Sequence, residues 1–114
     1  MAYDEQLAER VRTVVRDEDG LTERKMFGGL AFMIGGNMAC GIVKDELMLR
    51  LGAEGAEAAL ARPHVRPMDF TGRPLTGMVY VGREGLGEAE LQGWVAQAVA
   101  FARSLPPKKK PQGS

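Results

Sequence analysis

Residues 62–77, RPHVRPMDFTGRPLTG, gather the chain's one histidine, three of its arginines, three prolines and an aspartate. A histidine near a carboxylate can serve general acid–base chemistry, because imidazole titrates near neutral pH and the carboxylate orients it. Such a pair still needs a nucleophile or a substrate proton to act on. The only cysteine, Cys40, lies in the apolar run MACGIV and is expected to be a buried, inert thiol. His64, Asp69 and Gly72 are therefore read as structural loop residues, with Asp69 accepting from backbone amides or pairing with an arginine. No catalytic residue is assigned, and the chain is not expected to be an enzyme.

The arginines carry the second chemistry. Arg62, Arg66, Arg73 and Arg83 face a single acidic residue, Asp69, over residues 62–83. A planar guanidinium pairs well with phosphate or carboxylate, so Arg62, Arg66 and Arg73 are the candidate residues for a protein partner or a small anion. Phe70 and Tyr80 are the only aromatic side chains nearby that could stack on bases, so the nucleic-acid reading stays an alternative that leans on the lysine tail. A small-molecule or anion binder using the His64 loop is a further alternative. No ligand spacing for zinc occurs, and the glycines of MFGGLAFMIGGN match neither a dinucleotide fingerprint nor a phosphate loop. No metal and no cofactor are expected.

The elements that must hold these residues follow from hydrophobic periodicity. Leu7, Val11, Val14 and Val15 recur at helical spacing over residues 4–16. Residues 22–51 then change to short strands, ERKMF, LAFMI, MACGIV and LMLRL, separated by Gly-Gly, Gly-Asn and Lys-Asp turns. AEGAEAALAR reads as a helix stopped by Pro63. GMVYV is a strand, with PMDF a possible partner for it. Residues 88–105 form a long helix with Leu91, Trp94, Val95, Ala98, Phe101 and Ala102 along one stripe, in which Gly93 costs about 1 kcal/mol against alanine. The order is helix, three or four strands, helix, one or two strands, helix. That predicts an α+β domain in two layers, with one antiparallel sheet and the helices on one face. The domain is placed at 1–105, and residues 106–114, PPKKKPQGS, are expected to be a disordered tail.

Alternation divides each strand between two faces. Leu47, Leu49 and Leu51 point one way, and Met48 and Arg50 the other. Leu30, Phe32 and Ile34 point inward, yet Ala31 and Met33 on the far side are also apolar. Either loops and the last helix cover this second face, or Met33, Met48 and Met78 mark a surface for a second subunit. Fifteen basic residues balance fifteen acidic ones, so no global field draws the protein to nucleic acid or an anionic membrane. One cysteine, an acidic N-terminus and no apolar run long enough to span a bilayer lead to the expectation of a cytoplasmic protein without membrane contact.

KMFGGLAFMIGGNMACGIV, LMLRLG, RPHVRPMDFTGRPLTGMVYV and WVAQAVAFARSLP together resemble the TfoX (Sxy) N-terminal domain family. The resemblance runs from about Tyr3 to Leu105, and MFGG and RPMDFTGRPLTG are its specific elements. It implies a two-layer fold similar to type III secretion chaperones, often associated in pairs. It also implies a regulatory role, since full-length members of the best-known branch regulate natural competence genes together with a cyclic-AMP-dependent transcription activator. Those members carry a further helical domain, so this chain is expected to be a stand-alone domain. The resemblance brings no catalytic residues. A non-enzymatic adaptor, homodimeric and in contact with a protein partner such as the transcription machinery, is the expectation.

Overall fold

The computed structural model describes residues 3–26, 28–70 and 73–106. The predicted tail from residue 107 onward lies outside them, as does Gly72. Ten elements follow in order: α1 (Glu5–Val15), β1 (Leu21–Met26), β2 (Gly29–Ile34), β3 (Asn37–Val43), β4 (Glu46–Arg50), α2 (Gly52–Leu60), β5 (Val65–Phe70), β6 (Arg73–Val81), a single 3₁₀ turn (Arg83–Gly85) and α3 (Glu88–Ser104).

Local chemistry starts the first helix and turns the central hairpin. Asp4 caps α1, its Oδ1 accepting from the amides of Gln6 at 2.9 Å and Leu7 at 3.2 Å. That satisfies two of the donors a helix start leaves open. Leu7, Val11 and Val15 then recur every four residues and are buried. The β2–β3 hairpin turns through Gly35 and Gly36, both at positive φ, between the paired Ile34 and Asn37. Two left-handed residues are what a two-residue hairpin of right-handed twist demands.

The six strands form one antiparallel sheet in the order β1-β2-β3-β4-β6-β5. This confirms the α+β class read from the sequence, and the strand number is the upper end of the range predicted. The segment 62–77, read as a connection before the last strand, is mostly strand: β5 and β6 form a hairpin with Val65 opposite Val81 and Phe70 opposite Arg73. β5 lies at the sheet edge, where Pro67 removes a donor without breaking an inner ladder. At the opposite edge, β1 is protected by the exposed charges of Glu23, Arg24 and Lys25.

One large cluster forms the core. It joins Leu7, Val11 and Val15 of α1, Ala56 and Ala59 of α2, and Leu91, Trp94, Val95 and Ala98 of α3 to Phe32, Ile42, Leu47, Leu49, Val79 and Val81 of the sheet. The strand residues in it are alternate ones, so the three helices share one face. Arg12 ties α1 to β1 with a forked pair to Glu23, at 2.7 and 2.9 Å, which holds the guanidinium proton more firmly than usual. Arg103 ties α3 to the turn after α1, its Nε and Nη2 both donating to Glu18 Oε1 at 3.1 and 2.5 Å. Among the described residues, no helix is long and apolar enough to cross a membrane.

Candidate functional site

The second sheet face is built by register. Arg24, Ala31, Gly41, Met48, Tyr80 and Arg66 lie opposite one another across all six strands and form one row. Met48 and Tyr80 form a small cluster separate from the main core, with Met38, Val43 and Met78 packed against it. No helix residue belongs to it. Met48 is only 1% exposed and Met33 9%, while Met38 and Met78 are half-buried. The methionines of this face therefore differ in kind: Met48 is sealed inside the chain, and Met78 remains reachable.

Arg66 closes one end of the row. Its guanidinium lies 4.5 Å from the centre of the Tyr80 ring and forks onto Glu46, with Nε to Oε2 at 3.2 Å. The stacking and the pair together fix a side chain that the sequence offered as free for a ligand. Arg62 sits elsewhere. It stacks on Trp94 at 4.9 Å, and Trp94 belongs to α3 and the main core. The two arginines thus point to opposite faces of the sheet, although four positions apart in sequence, and do not form the single basic patch suggested by their spacing. Arg73 and Asp69 are placed by their backbones in the β5–β6 hairpin, and their side chains lie outside the described residues.

His64 occupies the turn before β5 at φ +68°, and its carbonyl accepts from Gly82 N at 2.8 Å. A left-handed backbone is where histidine is tolerated and a β-branched residue is not. His64→Val is therefore expected to lose about 1–2 kcal/mol, and His64→Gly to lose none, measured by thermal unfolding. Cys40 is fully buried, and desolvation pushes its thiol up to about 12. It lies in the main core, so the thiol has no access to the exposed His64 turn. Among the described residues, no three His, Cys, Asp or Glu side chains come together as a metal site.

A concave site does form around Arg62. A hollow of about 300 Å³ is lined by Arg62, Pro63, His64, Glu84, Gly85, Gly87, Glu90 and Trp94. A second, of about 210 Å³, shares Arg62, Glu90 and Trp94 and runs on to Ala89, Gly93 and Gln97. Three separate pieces of chain build it: the exit of α2, the 3₁₀ turn and the first half of α3. Sequence reasoning placed Arg62 and His64 as candidates and missed Glu84, Glu90 and Trp94. The available signal was Glu90 and Trp94 at i, i+4 on α3, flanking the unexplained Gly93.

A third concavity, about 610 Å³, runs between α1 and α3 over Val14, Val95, Ala96, Val99 and Ala100. Glu18 and Arg103, already paired with each other, stand at its rim.

In comparisons with known proteins, the family model described as the TfoX N-terminal domain matches residues 13–102. Searches of curated proteins and of solved structures return no match.

Proposed function

We propose that this chain, which belongs to the TfoX N-terminal domain family, is a non-enzymatic regulatory adaptor that works through protein contacts, the first of them with a second copy of itself. The observation that carries the reading is the second sheet face. Three helices cover one side of the sheet, and among the described residues no helix residue belongs to the apolar cluster on the other. An antiparallel sheet that faces water normally shows polar residues there. Ala31, Gly41, Met48 and Tyr80 are already buried in the single chain, with Met48 filling the space over Gly41, so the surface left for a second sheet is the border of the row. Met38, Val43 and Met78 border it with adaptable apolar surface. A two-fold axis through this face would set like residues against like, as closed dimers require.

The test uses Met78, which is half-buried, rather than a sealed residue. Light scattering at micromolar concentration is expected to give about twice the 12.3 kDa chain mass. Met78→Glu should shift that value towards one chain, because a carboxylate in an apolar contact is costly, while leaving far-ultraviolet circular dichroism unchanged. A chain mass of one copy at every concentration overturns the self-association. A dimer indifferent to Met78→Glu overturns the face assigned to it.

A further inference from the structure

The charged groups around the Arg62 hollow do not satisfy one another. Arg62, Glu84 and Glu90 line the same 300 Å³ space, yet none of them makes an ion pair or a side-chain hydrogen bond among the described residues. Arg62 is held only through its flat face, stacked on Trp94. Stacking leaves the edge of the guanidinium, with its N–H donors, free to grip a carboxylate in a forked arrangement. Glu90 is drawn back over Gly87 at the start of α3, and Glu84 comes from the 3₁₀ turn. The site therefore offers a fork for a carboxylate and two acceptors for an ammonium group.

Gly93 extends this pattern. It lies within α3, where glycine is a poor helix former, and a Cβ built on it meets nothing within 4 Å. No close approach inside the chain requires a glycine there. Its missing side chain opens the second hollow, bounded by Ala89 and Trp94, beside the charged one. Ala89 and Trp94 give the opening its apolar part, beside Arg62, Glu90 and Gln97, and it is of side-chain size.

We propose that these joined hollows bind a free neutral α-amino acid with an aliphatic side chain. Its carboxylate pairs with Arg62, its ammonium group is held by Glu84 and Glu90, and its side chain lies over Gly93 against Trp94. A simple anion would meet the two glutamates unfavourably, and a simple amine would meet Arg62. A ligand carrying both charges suits all three of these exposed groups.

Trp94 is the chain's single tryptophan and lies between the main core and this site, so its emission can be read without other tryptophans. Titrating the full chain with leucine is expected to change that emission saturably, whereas acetate and isobutylamine at the same concentrations give no saturable change. Arg62→Ala should weaken leucine binding at least tenfold. Gly93→Leu fills the second hollow with a better helix former. It should raise Tm by about 4 °C while weakening leucine at least tenfold, a combination that damage to the fold cannot produce. The assignment is overturned by an unsaturable response, by acetate or isobutylamine binding as well as leucine, or by leucine affinity unchanged in both variants. Calorimetric titration of Arg62→Ala supplies a readout independent of the stacked tryptophan: tenfold weaker binding supports the assignment, and unchanged binding overturns it.

Discussion

Replacing Gly29 with alanine is expected to cost about 3 kcal/mol or more of folding stability. A Cβ at this position would stand 2.1 Å from the carbonyl oxygen of Ile42, with Ile42 C at 3.2 Å and Val43 Cα at 3.3 Å. These are backbone atoms of the neighbouring strand, so no rotamer change relieves the clash. Strands β2 and β3 would have to separate near the β1–β2 turn, weakening a ladder in the middle of the core. For a domain of this size that corresponds to a fall in Tm of about 12 °C or more, readable by calorimetry. Gly28 supplies the contrast. It has φ +73° but nothing within 4 Å of a built Cβ, so alanine there carries backbone strain alone, about 1–2 kcal/mol. Equal losses at the two glycines would contradict the close approach seen at Gly29.

Much of this layout can be read from residue order. The split of LMLRL into a leucine face and a face with Met48 needs only the period of a strand, and the two clusters follow it, whereas the Arg50 guanidinium reaches the Phe101 ring of α3 at 5.6 Å. The Gly-Gly turn between β2 and β3 announces itself because few other residues accept two left-handed steps. Segment 62–77 was less legible, since its prolines and glycines resemble a loop. Its strands survive because β5 is an edge and because β4 pairs with β6 only from Met78 onward, leaving Pro74 with β5 alone. One irregularity is invisible in the sequence: a bulge at Ala39 shifts the β2–β3 register so that Phe32 faces Cys40 but Met33 faces Met38.

The candidate sites were legible only in part. Spacing suggested that Arg62 and Arg66 act together. A strand begins between them, however, and one stacks on the helix layer while the other stacks on the opposite sheet face. The Arg62 hollow depends on Glu84, Glu90 and Trp94, which are brought to it by the return of the chain after β6. Local patterns do not encode such a meeting. Conversely, alternation puts Met48 and Met78 on the second face, but it does not show that Met48 is sealed by its own chain.

That sealing sets the second large effect. Met48→Glu is expected to cost about 3 kcal/mol, because the change removes packing and places a carboxylate where the side chain is 1% exposed. A Cβ built on Gly41 lies only 2.8 Å from Met48 Cε, so the methionine fills the space that the glycine leaves open. Tyr80 stands opposite it in the ladder, and the Arg66 guanidinium covers that ring. A glutamate at position 48 could reach towards Arg66 only in competition with Glu46, which already holds it. Met48→Leu conserves volume and polarity and should cost less than about 1.5 kcal/mol. Urea denaturation of both variants, repeated over a hundredfold range of protein concentration, separates two origins of the loss. A deficit in Met48→Glu that is the same at every concentration places Met48 in the fold of the single chain, where the structure has it. A deficit that appears only at high concentration would mean that a second copy supplies the cover, and Met48 would then belong to the interface with Met78.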